Sequence, residues 1–456
     1  MPLLGAKVAA ARAVGALSRR TGRGGTSLPG KLLMRLEPDA IARLAGRLPQ
    51  GSAVLSATNG KTTTAAMVVS ILGAHGRQAG SGHGLSLVHN RAGANMAGGV
   101  ATALLEARGD MGLFEVDEFW LDRVTGQLRP RALLLANLFR DQLDRYGELE
   151  TIAERWAAVV AAHDGALVLN ADDPLVADLG RARPDATYFG VADDAMAMAE
   201  MQHAADSKHC RRCGSPYVYD AIYLGHLGRY HCPTGDATRP DPDVYATDVV
   251  LEGTRAAAFT LHTPVGAQPV RLPLPGLYNV YNALAAGALG LALGAALADV
   301  VAGLESVSPA FGRAETVALP AGPELAILLV KNPAGANEVL RTLVLEPGEH
   351  DLLGVLNDRT ADGRDVSWIW DADFEVLAER LRRVTCSGTR AEELAVRLKY
   401  AGVDPDRIAV EADLALGLDR AAAGADGRLY ALPTYTAMLE LRELLTRRGV
   451  TTGSFT

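Results

Sequence analysis

A lysine, a glycine and a run of hydroxyls sit together in Ser56-Ala57-Thr58-Asn59-Gly60-Lys61-Thr62-Thr63-Thr64, a composition suited to chemistry on phosphate. Ahead of this stretch Ala53-Val54-Leu55 reads as a buried strand, and behind it Ala65 to Leu72 reads as a helix. Strand, tight glycine turn and helix make a phosphate-binding loop, because backbone N–H groups and a helix N-terminus favour negative charge. In such a loop Lys61 reaches the terminal phosphates of ATP and the Thr62 hydroxyl ligates Mg²⁺. Thr58, Asn59, Gly60, Lys61, Thr62 and Thr63 are therefore the candidate nucleotide contacts. The usual pattern has a glycine five residues before the Gly-Lys pair; here that place holds Leu55, so the loop is a shortened form.

A second cluster with chemical potential is Gly112-Leu113-Phe114-Glu115-Val116-Asp117-Glu118. It reads as a strand ending in acids, with Glu115 and Asp117 on one face and Glu118 pointing away. Crowded carboxylates call for a cation, and beside a phosphate loop that cation is Mg²⁺, with Glu115 as its candidate ligand. A third cluster is Cys210-Arg211-Arg212-Cys213 with Cys232-Pro233-Thr234-Gly235. Its spacing resembles half of a zinc ribbon and the start of the other half. Gly235 stands where a fourth cysteine belongs, leaving His226, His231 or Asp236 to complete a zinc site, or the ribbon to fold without metal. The insertion 203–236 lacks helical periodicity and is expected to form a small β knuckle. The remaining cysteine, Cys386, lies at the end of an apolar strand and reads as a packed residue.

The elements that must position these groups follow from the rest of the chain. Its 456 residues call for two or three domains. Apolar content of 48% with 21% charged residues is that of a globular protein. A net charge of −8 without a basic tract argues against nucleic acid as a main partner. No apolar run reaches the roughly 20 residues of a membrane span. Residues 6–20 form an amphipathic N-terminal helix whose apolar side Arg12 interrupts, and Gly22 to Gly30 reads as a linker or a lid. Four cysteines in so long a chain point to a reducing cytoplasm. Further strands are read at Arg131–Asn137 and Gly165–Asn170, a polar turn at Asn90–Asn95 and a short helix over Pro38–Leu48. Strands alternating with helices imply an α/β fold with a parallel central sheet and ligands at the strand C-termini.

Taken in order, ATNGKTTT, EVDE, ANLFRDQLDRYG, LVLNADDP, LPGLYNVYNALAA, FGRAE and KNPAGANEVL, between residues 57 and 340, resemble the Mur ligases. The resemblance implies a ligase that activates a carboxylate as an acyl phosphate for attack by an amine. It implies a helical lead-in over 1–49, an ATP-binding central domain over 50–310 carrying the 203–236 insertion, and a C-terminal domain over 311–456. It places Asn282 near the adenine, and Arg313 and Asn332 on the nucleotide from the domain junction. Two departures narrow it. Many Mur ligases carry a carbamylated lysine, yet no lysine occurs from Arg131 to Ser207, and the aligned segment offers Trp156. Where amino-acid-adding ligases read Tyr-Ala-His-Asn-Pro, this chain reads Leu329-Val330-Lys331-Asn332-Pro333.

Both departures resemble one branch, which amidates the α-carboxylate of D-glutamate in the stem of lipid II as a heterodimer with a GatD-like glutaminase. NDRTADGRDVSWIWD, from Asn357 to Asp371, is similar to a signature of that branch, as are SGTRAEELAVRLKYAGV and LPTYTAML. By resemblance Asp362 or Asp365 faces the partner's active site. No Gly-x-Cys-x-Gly glutaminase turn surrounds Cys386, so ammonia is expected from solution or from a partner subunit, and the resemblance implies the glutaminase. Two other readings are an amino-acid-adding ligase acting on a cell-wall or polyglutamate acceptor, and a nucleotide-binding scaffold without chemistry.

Overall fold

The computed structural model describes residues 2–20, 27–78, 85–90, 93–141, 149–203, 205–308, 313–320 and 322–451. Strands are labelled in chain order, beginning with β1 (Ser52–Ser56), β2 (Leu87–His89), β3 (Met111–Glu115), β4 (Ala132–Leu135), β5 (Ala166–Asn170) and β6 (Thr187–Val191). The hairpin β7 (Val218–Leu224) and β8 (Leu227–His231) stands apart, and β9 (Val244–Glu252), β10 (Ala256–Thr263) and β11 (Gly266–Leu272) follow. The first sheet has nine strands in the order β11-β10-β9-β6-β5-β4-β1-β3-β2. It is parallel from β2 through β9 and antiparallel from β9 to β11.

The parallel strands are buried on both faces, so their sequences are continuous apolar runs rather than alternations. In β1, Ala53 and Leu55 face the helices Lys61–Gln78, Leu277–Ala292 and Leu297–Glu305. Val54 turns the other way, onto a core that holds Phe114, Leu133 and Trp156. That second core also takes in Val8 and Ala11 of the N-terminal helix, whose Arg12 donates to the carbonyl of Leu105. Arg12, which interrupts the apolar side of that helix, thus becomes a tether.

The C-terminal sheet contains β12 (Arg313–Ala318), β13 (Glu324–Leu328), β14 (His350–Val355), β15 (Leu381–Ser387), β16 (Ile408–Val410) and β17 (Leu429–Pro433). Its order is β12-β13-β17-β14-β15-β16, parallel except for the antiparallel pair β12–β13. The insertion folds around the β7–β8 hairpin with no helix between Gln202 and Val244 among the described residues, in line with a β knuckle. Both sheets turn their strand C-termini toward a shared junction.

Trp156 is fully buried beneath this junction, on the helix Leu149–Ala161. Truncating a buried indole removes its contacts and leaves a cavity. Trp156→Ala is expected to lose about 3–5 kcal/mol of stability, measured by chemical denaturation of the full chain.

Candidate active site at the domain junction

The phosphate loop runs from the end of β1 into the helix Lys61–Gln78, and Gly60 turns the chain with φ +85°. Only glycine fits, since a Cβ there would fall 2.0 Å from Oδ1 of Asn282. Asn137, just beyond β4, fixes the loop from the other side. Its Oδ1 accepts from the N–H of Asn59 at 2.9 Å and its Nδ2 donates to the Asn59 carbonyl at 3.1 Å. The Thr58 hydroxyl accepts from the N–H of Phe139 at 3.1 Å. These clamps sit on the segment after β4, and the sequence reading passed over them; an Asn just past an apolar strand beside a phosphate loop was the available signal.

A cavity of about 340 Å³ opens over the loop. Thr58 to Thr63 line it from the loop and the helix start behind it, Asp117, Glu118 and Asp141 from the segments that follow β3 and β4, and Lys331 and Gly335 from the turn after β13 and the helix Pro333–Val344. Lys61 curls so that Nζ donates to Glu118 Oε2 at 2.8 Å, to the Thr58 carbonyl at 3.4 Å and to the Ala57 carbonyl. Lys331 crosses the junction, donating to the same Thr58 carbonyl at 3.1 Å and to Asp141 Oδ2 at 2.5 Å. Beside it Asn332 caps the helix Pro333–Val344 and exchanges side-chain hydrogen bonds with Asn59 at 2.9 and 3.3 Å.

Electrostatics follow from this crowding. Burial alone would strip the proton from Lys61, but the charges of Glu118 and Asp117 outweigh it and hold its pKa up. Burial likewise disfavours ionised Glu118, yet Lys61 and Lys331 override it and hold its pKa down. Burial, followed by the charge of Glu118, pushes Asp117 up. The site therefore keeps Glu118 ionised beside two ammonium groups.

The acidic turn departs from simple alternation. β3 ends at Glu115, after which the chain turns, so Glu118 points into the cavity rather than away from it. Glu115 is buried at the strand end, where Asn90 brackets its backbone at 2.8 and 3.0 Å; Asp117 and Glu118 do the lining. Trp156 Nε1 donates to the Glu118 carbonyl at 3.4 Å, so the indole holds the turn. Asn282 sits at the cavity wall, bonded to Thr64 at 3.3 Å. The side chain of Arg313 lies outside the described residues, as does most of the DQLDRYG segment.

Residues 56–232 match the family description "Mur ligase middle domain" and residues 329–438 match "MurT ligase C-terminal". A Staphylococcus aureus protein named lipid II isoglutaminyl synthase (glutamine-hydrolyzing) subunit MurT is 33% identical over 94% of this chain and 95% of its own length. A Streptococcus pneumoniae protein of the same name is 34% identical over 94% of each chain. The chain belongs to the MurT family. Among solved structures, the fold is shared with a pseudomurein peptide ligase type C from Methanothermus fervidus (TM-score 0.67, 23% identity, covering 88% of this chain and 79% of that one). It is also shared with MurF ligase from Thermotoga maritima in complex with ADP (TM-score 0.60, 15% identity, 93% and 85% covered).

Within this MurT-type chain the two aspartates singled out in the C-terminal loop differ in their surroundings. Asp362 is buried and accepts from the N–H of Thr436 at 2.7 Å and from the Thr436 hydroxyl, at the start of the helix Tyr435–Arg447. Asp365 is exposed and accepts from Ser367, whose N–H lies at 2.8 Å. In the knuckle, the sulfurs of Cys210, Cys213 and Cys232 lie within 4.8 Å of one another. Of the three residues that could join them, His226 is wholly buried against Phe139, and His231 faces Asp220 at 3.6 Å. Asp236 reaches the cluster through Thr234, whose hydroxyl touches Cys213 at 3.1 Å, Cys232 at 2.9 Å and Asp236 at 2.8 Å.

Glu118→Gln removes the charge that keeps Lys61 protonated, so a loss of about 3 kcal/mol in stability is expected at pH 7. The folded pKa of Glu118 lies below its ordinary value of 4.5. The pair's contribution is thus whole above that value and lost as pH falls through the depressed one. Denaturation curves of wild type and variant should converge in acid.

Proposed function

We propose that this chain is the ATP-consuming subunit of a lipid II isoglutaminyl synthase. On this reading it phosphorylates the α-carboxylate of D-glutamate in the peptidoglycan stem, and ammonia displaces phosphate to leave the amide. Identity of 33–34% to proteins of that name across nearly the whole of both chains carries the proposal. Domains are assigned as 50–310 for the central ATP-binding unit, with its 203–236 insertion, and 311–456 for the C-terminal unit.

Magnesium would supply charge neutralisation for the transferring phosphoryl group. The donor set suits it: Thr62 and the acids of the Glu115–Glu118 turn lie at or beside the cavity, and hard oxygen ligands are what this ion takes. Asp141 adds a buried Oδ1 that has no hydrogen-bond partner among the described residues. Lys61 and the helix N-terminus behind it orient the phosphates, and Asn282, Arg313 and Asn332 are assigned to hold the nucleotide from the walls of the junction.

Ammonia must reach this site from elsewhere. Burial pushes the Cys386 thiol up to about 12, which leaves it a poor nucleophile at neutral pH. The other three cysteines are gathered in the knuckle, a cluster we assign to zinc. A glutaminase partner in a heterodimer supplies the missing activity, and of the two candidate aspartates the exposed Asp365 is the one free to meet it. No described helix is long and apolar enough to cross a membrane. The lipid-linked substrate would bring the chain to the inner face of the membrane.

Two measurements test this reading. With purified lipid II, ATP and a co-purified glutaminase, glutamine should give the amidated product; the chain alone should need ammonium chloride, and amino acids should not substitute. Lys61→Ala should lower the rate by at least ~100-fold. Activity that survives this change would support the non-catalytic scaffold, and failure with both nitrogen sources would sink the proposal. Elemental analysis should separately find one zinc per chain, lost in Cys213→Ser; an absence of metal in the wild type would mean the ribbon folds without it.

A further inference from the structure

Two ammonium groups converge on a single carbonyl oxygen. Lys61, from the phosphate loop, and Lys331, from the turn after β13, both donate to the Thr58 carbonyl, at 3.4 and 3.1 Å. Like charges brought together in a partly buried site repel strongly unless anions stand between them. Here carboxylates do so: Glu118 takes Lys61 at 2.8 Å, and Asp141 takes Lys331 at 2.5 Å.

Among the described residues, nothing in its own domain accounts for where Lys331 goes. Its neighbour Asn332 already caps the helix Pro333–Val344, and both hydrogen-bond acceptors of the Lys331 ammonium belong to the central domain. Its partner Asp141 is only half used, with Oδ1 buried and lacking a hydrogen bond among the described residues. All four side chains line the same cavity of about 340 Å³. Paired cations and carboxylates, one of them with an oxygen still unused, around one cavity form a set that a polyphosphate with a divalent cation would satisfy, oxygen ligands to the cation and ammoniums to the phosphate.

We propose that Lys61–Glu118 and Lys331–Asp141 are resting pairs that exchange partners when a nucleoside triphosphate binds, and that Lys331 is the cation by which the C-terminal domain reads the terminal phosphate. The inference rests on the cavity being the ATP site. Because Lys331 belongs to the C-terminal unit, its new contact would tie closure of the two domains to the presence of that phosphate. A nucleoside diphosphate lacks the group that it reads.

The experiment is equilibrium titration of the full chain, co-purified with its partner, using fluorescent ADP and a non-hydrolysable fluorescent ATP analogue in Mg²⁺ buffer. Lys331→Ala should weaken the ATP analogue ~10-fold or more while changing ADP by less than ~3-fold, and Lys331→Arg should restore most of the difference. A merely structural strut predicts the opposite pattern, equal losses for both nucleotides, with Lys331→Arg restoring neither selectively. That result overturns the proposal. Should Lys331→Ala fail to fold by circular dichroism, Lys331→Gln and Lys331→Arg carry the same comparison. Wild type that binds the ATP analogue yet amidates nothing would defeat the functional reading and leave this one standing. Wild type that binds neither nucleotide would defeat both.

Discussion

An ammonium as enclosed as that of Lys61, a residue only 9% exposed, stays charged only with anions in contact, and much of the architecture follows from supplying them. The acids come from the turn after β3, so β3 must lie directly beside β1, and the register pairs Leu55 with Glu115. On the other side β4 pairs Ser56 with Leu135, which carries Asn137 and Asp141 to the same edge. Neither placement is local in sequence. A parallel sheet in which β1 sits between β3 and β4 delivers both, and the helices on its two faces exist to bury those strands.

The second domain closes the site through polar rather than apolar contact at the loop itself. Asn59 and Asn332 exchange hydrogen bonds in both directions, while Asn332 also takes the N–H of Gly335. One asparagine therefore starts a helix in its own domain and holds the phosphate loop of the other. Such a contact is specific in geometry and modest in energy, since hydrogen bonds lost to water are regained across the junction. An interface of this kind can open and reclose, as a site that must admit a nucleotide and a large acceptor requires.

How much of this could be read beforehand divides along physical lines. The phosphate loop, the parallel sheet and the β knuckle were legible because strand–glycine–helix order, continuous apolar runs and turn-rich composition are local signals. The direction of Glu118 was not. Alternation holds only while a strand lasts; β3 stops at Glu115, and the following turn swings Asp117 and Glu118 together toward the cavity. Lys331 was visible as a departure from a familiar pattern, but its partner Asp141 is 190 residues away and no periodicity links them. Asp362 and Asp365 looked equivalent in a loop rich in aspartate. What separates them is tertiary: the helix Tyr435–Arg447 begins where only Asp362 can reach its N-terminus.

The segment leaving β4 joins these regions. Arg140 donates to Asp206 of the insertion and lies 3.6 Å from Asp371 at the end of the tryptophan-bearing loop. The next residue, Asp141, holds Lys331. Two residues beyond Asp371, Asp373 takes Asn337 at 2.8 Å and His203 at 2.7 Å, so the insertion and that loop meet at a second point. Adjacent residues thus bear the contacts of the knuckle, of the C-terminal loop and of the cation at the phosphate site. Side chains of consecutive residues in an extended segment diverge, so one short stretch of backbone can serve a phosphate site and a surface feature at once. The cysteine knuckle has its place in the fold on this account. Its hairpin lines the cavity through Leu224 and Leu227 and its Asp206 takes Arg140, while its three clustered cysteines lie outside the cavity lining.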